Sequence, residues 1–179
     1  MKKQWIPNLI TSLRLFGAIA LLFLPALEPA FFVVYTLCGL SDLFDGLTAR
    51  LFHAESDFGS KLDSVADLLF YAAMLLKTLP VLWTELPQWI WLYLAAILTL
   101  RLCAYLVAAI RYRRFASLHT YLNKATGLGV FLLPYWIGRG GLVPFAAVVC
   151  SVAALASAEE FILHARSSAY DPNRKSLFF

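Results

Sequence analysis

The sequence predicts an all-α membrane protein with six transmembrane helices and a polar cavity that faces the cytoplasm. Of its 179 residues, 61% are hydrophobic and 15% are charged, and the mean hydropathy is +0.72. A soluble domain is about half apolar and a quarter charged. The apolar residues occur in long runs, and four aspartates interrupt them at Asp42, Asp45, Asp63 and Asp67. The runs predict the spans, and the aspartates predict the cavity.

Six runs approach the length of about 20 mostly apolar residues that a spanning helix needs. They lie at residues 8–27, 30–53, 60–83, 88–111, 121–138 and 142–165. Helix-breaking or polar residues separate them, namely Pro25 with Pro29, the stretch from Glu55 to Asp57, Pro80 with Pro87, and Gly140 with Gly141. We expect residues 1–179 to form a single domain at this chain length.

The first run has one feature of a secretory signal, because Lys2 and Lys3 precede it. Pro7, Asn8 and Arg14 interrupt the continuous apolar stretch that a signal requires, and no convincing small-residue cleavage site follows. We therefore expect this run to remain as the first helix.

Basic residues are distributed unevenly between the two sides of the predicted bundle. Those on the side of the N-terminus are Lys2, Lys3, Arg50, Lys61, Arg111, Arg113, Arg114, Lys124, Arg166, Arg174 and Lys175. Only Arg139 falls clearly on the other side. The positive-inside rule then predicts a multi-pass protein of the cytoplasmic membrane with both termini in the cytoplasm. Topology accounts for the net charge of +4, so nucleic-acid binding is not predicted.

The four aspartates carry the chemical signal. Asp42 and Asp45 are three residues apart and Asp63 and Asp67 are four apart, so each pair shares one face of its helix. The short link at residues 53–59 makes the two helices antiparallel neighbours, and all four carboxylates can converge. Carboxylates are costly within a bilayer unless they are compensated. An all-oxygen ligand set favours Mg²⁺ or Mn²⁺, and four carboxylates suffice for two metals that clamp a phosphoryl group.

The residues around the aspartates suit a phosphate ligand. Gly46 and Ala49 remove bulk from one helix face, which allows a ligand to approach the backbone. Gly59 and Ser60 open the next helix, where free amides favour an anion. Arg50 offers a planar fork that can grip a diphosphate.

These residues form a long pattern with fixed spacing: Asp42-x-x-Asp45-Gly46-x-x-Ala49-Arg50, eight residues, Gly59, three residues, Asp63, three residues and Asp67. The pattern resembles the full signature of the CDP-alcohol phosphatidyltransferases, and no position departs from it. Pro7-Asn8 with Thr11 and Arg14 is similar to the start of the first helix in that family. The resemblance is strong over residues 5–70 and only architectural beyond them.

The resemblance implies an enzyme that transfers a phosphatidyl group from CDP-diacylglycerol to an acceptor hydroxyl and releases CMP. Asp42, Asp45 and Asp63 would hold two Mg²⁺ or Mn²⁺ ions, and Asp67 would complete the metal site and act as the catalytic base. The residues that would bind the CDP group are Asn8, Thr11, Asp42, Gly46, Ala49, Arg50 and Gly59. A homodimer in the lipid bilayer is also implied.

Basic side chains on the predicted cytoplasmic side suggest an acceptor that carries phosphate. The candidates are Arg101, Arg111, Arg114 and Lys124, beside Arg113. Glycerol 3-phosphate is the first choice, and inositol phosphate and serine remain open. Arg101 could instead pair with Glu159 or Glu160, for which we favour an ion-pair or packing role over acceptor binding.

Two other protein classes use intramembrane carboxylates. An Asp-rich prenyltransferase normally needs a second Asp-rich motif and more spans, and residues 85–179 contain only Glu85, Glu159, Glu160 and Asp171 as acids. A divalent-cation transporter would need acidic or polar groups through the outer halves of the helices, and these halves are apolar here. A transferase is therefore favoured over both.

Overall fold

A computed structural model gives the structure of the protein. It describes residues 5–51, 57–113, 120–166 and 176. At residues 5–8, 43–51, 57–58 and 60 it describes the backbone but not the side chains. The described part is helical and contains no strand, which confirms the predicted all-α fold. Its helices are α1 (Trp5–Phe23), α2 (Pro29–Leu51), α3 (Asp57–Glu85), α4 (Gln88–Tyr112), α5 (Tyr121–Leu132) and α6 (Leu142–Arg166), with a 3₁₀ turn at Leu133–Trp136.

Two prolines act differently from one another. Pro80 lies inside α3, as it does inside the predicted run 60–83, and the helix continues to Glu85. A proline inside an apolar helix removes one backbone hydrogen bond without requiring the helix to stop. The helix ends instead before Leu86-Pro87, since the residue before a proline disfavours helical geometry. The predicted run 121–138 divides near Pro134 into the short helix α5 and the 3₁₀ turn.

Within the described residues, three helices are long and apolar enough to cross a membrane, namely Lys61–Glu85, Gln88–Tyr112 and Leu142–Arg166. Leu9–Phe23 and Pro29–Asp42 are shorter apolar segments. Large apolar side chains point outward from these helices, including Phe16, Leu68 and Ile110. In water such a surface would be unfavourable, whereas lipid tails solvate it. Six spans and their direction remain predictions.

The chain divides into two compact units, Met1–Trp83 and Thr84–Phe179. In the first unit α1 packs on α2, and the two backbones approach closely at Gly17. A methyl group added there would lie 2.4 Å from Cys38 Sγ, too near for any larger residue without movement. Tyr35 of α2 stacks on Phe70 of α3 with 5.2 Å between ring centroids. These contacts fix the faces of α1, α2 and α3 that carry polar residues.

In the second unit α6 packs against both α4 and α5. Gly129 permits the approach of α5, since an added Cβ would lie 2.9 Å from Val149 Cγ2. Thr120 caps the start of α5 by accepting a hydrogen bond from the Asn123 amide at 3.3 Å. The cap places Asn123 in the first turn of α5, next to the polar residues of α6.

Candidate metal centre

Three of the four aspartates come together in the first unit. Asp42 lies on α2, and Asp63 and Asp67 lie one turn apart on α3. One carboxylate oxygen from each residue lies within 4.8 Å of the other two. The carboxylates are partly exposed, with 36–49% of each side chain accessible. Three oxygens at this spacing are compatible with ligation of one small divalent cation.

Several predicted site residues lie on helical segments for which the structure describes only the backbone. Asp45, Gly46, Ala49 and Arg50 fall on the last two turns of α2, and Asn8 falls in the first turn of α1. Helical geometry alone puts Asp45 on the same face as Asp42. Gly59 lies in the first turn of α3, one turn before Asp63. The roles of these residues remain predictions.

Arg14 of α1 is the cation at the centre of the acidic group. Its side chain is buried, and its Nη1 atom lies 3.1 Å from Oδ1 of Asp42 and 3.1 Å from Oδ1 of Asp63. The same nitrogen donates a hydrogen bond to Asp67 Oδ1. Thr11, which is also buried, lies three residues earlier on the same face of α1. The first helix therefore contributes directly to the acidic site.

Ser41 holds the guanidinium from the other side. Arg14 Nε donates to Ser41 Oγ at 3.3 Å, and Ser41 Oγ donates to the Cys38 carbonyl at 2.7 Å. The close contact at Gly17 brings this part of α2 against α1. The orientation of Arg14 is thus set by helix packing as well as by charge.

Asp63 Oδ1 provides a test of whether a metal would fit. Its distance to Arg14 Nη1 satisfies an ion pair, but the atom is buried and accepts no hydrogen bond from the described residues. The ion-pair distance and the missing hydrogen bond agree if the N–H bonds of Arg14 point at other acceptors. A buried carboxylate oxygen with unused lone pairs is costly. A divalent cation would satisfy it, so the residues fit a metal.

A second polar cluster lies within the second unit. Arg101 of α4 donates to Ser157 Oγ of α6 at 3.2 Å and to Asn123 Oδ1 of α5. Asn123 Nδ2 donates to Glu160 Oε2 at 3.3 Å, and Arg101 Nη2 lies 3.7 Å from the same oxygen. Glu160 is fully buried. Arg101 therefore forms an ion pair with Glu160, one of the two alternatives that the sequence left open.

The other predicted acceptor residues are separate from this cluster. Arg111 donates to the Ala165 carbonyl near the C-terminal end of α6. A cation at this end of a helix interacts favourably with the helix dipole. Lys124 is exposed on α5. Arg114 lies outside the described residues. No structural observation assigns an acceptor to any of them.

Sequence reasoning missed the position of Arg14 in the acidic site and the role of Asn123 and Ser157. A signal for Arg14 was available, because it is the sole charged residue between Lys3 and Glu28 in an apolar run. A lone intramembrane cation commonly pairs with a carboxylate. Asn123 and Ser157 gave no comparable signal, because short polar residues are frequent in membrane helices.

An all-helical chain with apolar spans and a group of carboxylates on two neighbouring helices is an integral membrane protein with an acidic site. The model of the CDP-alcohol phosphatidyltransferase family matches residues 4–159. The chain belongs to this family, and it is a multi-pass membrane protein. The match includes the acidic site and most of the second unit.

Two curated relatives show local similarity. The chain is 41% identical over 68 residues to a CDP-diacylglycerol–glycerol-3-phosphate 3-phosphatidyltransferase of Cereibacter sphaeroides, which covers 35% of this chain and 31% of the relative. It is 37% identical over 86 residues to a CDP-diacylglycerol–inositol 3-phosphatidyltransferase of Candida albicans, covering 44% of this chain and 37% of the relative. The matched segments thus span about a third of each relative. No solved structure matches the chain significantly.

Proposed function

We propose that the protein transfers a phosphatidyl group from CDP-diacylglycerol to an acceptor hydroxyl and releases CMP. The observation that carries the proposal is the convergence of Asp42, Asp63 and Asp67 in a member of this family. The names of both relatives specify CDP-diacylglycerol as the donor. Donor and product are lipids, which suits an active site on membrane helices.

The metal site of the proposal consists of Asp42, Asp45, Asp63 and Asp67 with two Mg²⁺ or Mn²⁺ ions. Convergence of three of the carboxylates and the unsatisfied Asp63 Oδ1 support it. When bound, the ions neutralise charge on the diphosphate of the donor and on the leaving CMP. Asp45 would join the site from the same face of α2 as Asp42.

The nucleotide site of the proposal adjoins the carboxylates on α1, α2 and α3. It comprises Asn8, Thr11, Asp42, Gly46, Ala49, Arg50 and Gly59. The buried position of Thr11 beside Arg14 supports participation of α1. Small residues at Gly46, Ala49 and Gly59 would let the diphosphate approach the helix backbones.

The reaction in this proposal is one displacement at phosphorus. The acceptor oxygen attacks the phosphorus that carries diacylglycerol, and its O–H proton passes to a carboxylate oxygen of Asp67. The bond from that phosphorus to the bridging oxygen breaks, and CMP leaves with the electron pair. Asp67 is within hydrogen-bond reach of Arg14, which keeps its carboxylate directed into the acidic group. General-base assistance of this kind contributes about 10²- to 10⁴-fold.

Glycerol 3-phosphate is our first choice of acceptor, which would make the product phosphatidylglycerophosphate. The Cereibacter relative supports it by name, and the Candida relative supports the alternative of an inositol compound. Serine is the remaining alternative. Arg101, Arg111, Arg114 and Lys124 are the proposed acceptor residues; Lys124 is exposed, and Arg101 already pairs with Glu160.

The proposal also includes the cellular setting. We place the protein in the cytoplasmic membrane with both termini and the active site on the cytoplasmic side, because the basic loop residues cluster there. We propose a homodimer as its assembly, from the resemblance to the family. Crosslinking in native membranes would test the dimer.

The experiment that tests the acceptor uses purified protein, CDP-diacylglycerol and Mn²⁺ with separate acceptors: glycerol 3-phosphate, inositol phosphate, inositol and serine. Mass spectrometry of the lipid products identifies the transferred headgroup. The proposal predicts phosphatidylglycerophosphate as the dominant product. A dominant inositol- or serine-containing lipid would replace the acceptor and retain the chemistry. Absence of any lipid product, together with Mn²⁺ uptake into proteoliposomes, would favour a cation transporter.

A further inference from the structure

Arg14 places a permanent positive charge among the proposed metal ligands. Its side chain is 1% exposed, and one nitrogen, Nη1, contacts an Oδ1 atom of each of Asp42, Asp63 and Asp67. A guanidinium keeps its proton at any ordinary pH. Three carboxylate oxygens around one cationic atom resemble the ligand arrangement of a metal ion.

We propose that Arg14 is a positioning residue that holds the three carboxylates together in the metal-free protein and competes with the metal for them. The inference rests on the proposed function, because it takes Asp42, Asp63 and Asp67 as metal ligands. It adds an internal cation whose contacts must change when the metal binds.

The charges of the group support this competition. The three described carboxylates and the guanidinium carry two net negative charges, which still attract a divalent cation. A cation bonded to the Oδ1 atoms that Nη1 now contacts would lie close to that nitrogen. Two positive charges a few Å apart repel strongly where water is scarce. Nη1 must therefore withdraw from at least one carboxylate as the metal enters.

Nη1 can move away from a carboxylate while Arg14 keeps its contact with Ser41. Nε is bonded to Ser41 Oγ at 3.3 Å, and Ser41 is itself bonded to the Cys38 carbonyl. Rotation about the Cδ–Nε bond moves the terminal nitrogens of the guanidinium, while the Nε atom itself stays near Ser41. Arg14 would remain beside the site as a cation available to the donor diphosphate.

The test measures binding of Mn²⁺ alone to the full chain in lipid nanodiscs, with free Mn²⁺ quantified by electron paramagnetic resonance. Arg14→Gln removes the competing charge, so its affinity for Mn²⁺ rises by roughly tenfold or more. Its thermal stability without metal falls, because three carboxylates lose their shared cation. Saturating Mn²⁺ then raises its Tm by more than it raises the Tm of the wild type.

Two further variants make the result specific. Arg14→Lys keeps the charge on a shorter side chain with fewer donors, and its Mn²⁺ affinity falls between the wild type and Arg14→Gln. Lys77→Gln is the matched control, since it also removes one positive charge from the first unit. Lys77 lies about 15 Å along α3 from Asp67, and its Nζ donates to the Leu24 carbonyl at 2.8 Å. Loss of this charge leaves the Mn²⁺ affinity unchanged.

Equal or weaker Mn²⁺ binding by Arg14→Gln, at wild-type helix content, would overturn the inference. If that variant cannot be purified, Arg14→Lys decides, and an affinity no tighter than the wild type overturns it. The wild type could bind Mn²⁺ and release CMP normally while both Arg14 variants bind Mn²⁺ with unchanged affinity. That result would refute the competition and leave the proposed function intact. Absence of Mn²⁺ binding by both the wild type and Arg14→Gln would overturn both.

Discussion

Arg101 on α4 lies 3.7 Å from the buried carboxylate of Glu160 on α6, and Asn123 on α5 forms hydrogen bonds with both. Together with Asn123, the pair therefore connects α4, α5 and α6. Glu160 Oε1 also lies 3.8 Å from His164 Nε2, and Arg101 also donates to Ser157 Oγ, so the pair is the centre of a polar cluster. Buried pairs of this kind are costly to break because one charge remains uncompensated.

Glu160→Gln should lower the stability of the protein. The amide can still accept the hydrogen bond from Asn123, but Arg101 loses its negative partner. We expect a loss of about 1 to 2 kcal/mol, near the lower range for buried charged pairs because the Arg101 side chain is 26% exposed. Thermal unfolding in detergent measures the change.

Glu85→Gln is the matched control for this substitution. Glu85 is exposed and accepts a hydrogen bond from the Gly138 amide at 3.0 Å, which glutamine can also do. Its stability should stay close to that of the wild type. Equal losses in the two variants would show that the Arg101–Glu160 pair contributes little.

Asp67→Asn should abolish turnover while binding of the CDP-lipid is partly retained. Asparagine cannot accept the proton of the acceptor hydroxyl, and it is a weaker metal ligand than a carboxylate. We expect the rate of CMP release to fall by about 10²-fold or more. Fluorescence binding of a CDP-lipid analogue, measured in parallel, separates catalysis from binding. Normal turnover would exclude Asp67 as the base.

Lys124→Gln tests the proposed acceptor site. Lys124 is an exposed cation on α5, and a charge-assisted hydrogen bond to the acceptor phosphate would be lost. We expect the KM for glycerol 3-phosphate to rise roughly tenfold while the KM for CDP-diacylglycerol is unchanged. Steady-state kinetics with each substrate varied in turn measures both values, with Lys77→Gln as the charge-matched control. Equal changes in the two KM values would remove Lys124 from the acceptor site.

Two glycines of α5 should respond oppositely to the same substitution. Gly129→Ala places a methyl group 2.9 Å from Val149 Cγ2, on a stiff branched side chain, and should destabilise the protein by about 1 kcal/mol or more. Gly127→Ala meets nothing within 4 Å and should stabilise it by about 0.5 to 1 kcal/mol, since alanine favours helix. Thermal unfolding of both variants checks this. Similar changes in Tm would contradict the close packing of α5 on α6.

Local spacing explains why Asp42, Asp63 and Asp67 converge. Asp63 and Asp67 are four residues apart, which places both on one face of any helix that contains them. The short link to α2 then limits where Asp42 can lie. Arg14 could not be placed in the same way, because its neighbours depend on which face of α1 meets α2. That face is determined by contacts such as Gly17 with Cys38, which no periodic pattern specifies.

The all-helical fold was predicted from the sequence, whereas the effect of each proline was not. Pro134 ends regular helix in the fifth run, whereas Pro80 lies within α3. Both residues lack the same backbone donor. A proline in an apolar helix can be accommodated or can end the helix, so the sequence around each proline was insufficient to decide the outcome.

Release of CMP from CDP-diacylglycerol is the measurement that tests the central claim most directly. Purified protein is incubated with CDP-diacylglycerol and glycerol 3-phosphate, and CMP is quantified by chromatography with and without Mn²⁺. The account predicts CMP and new phospholipid in equal amounts, dependent on the metal and lost in Asp63→Asn. Metal-independent release, or no release by wild type that binds Mn²⁺ and CDP-lipid, would contradict it.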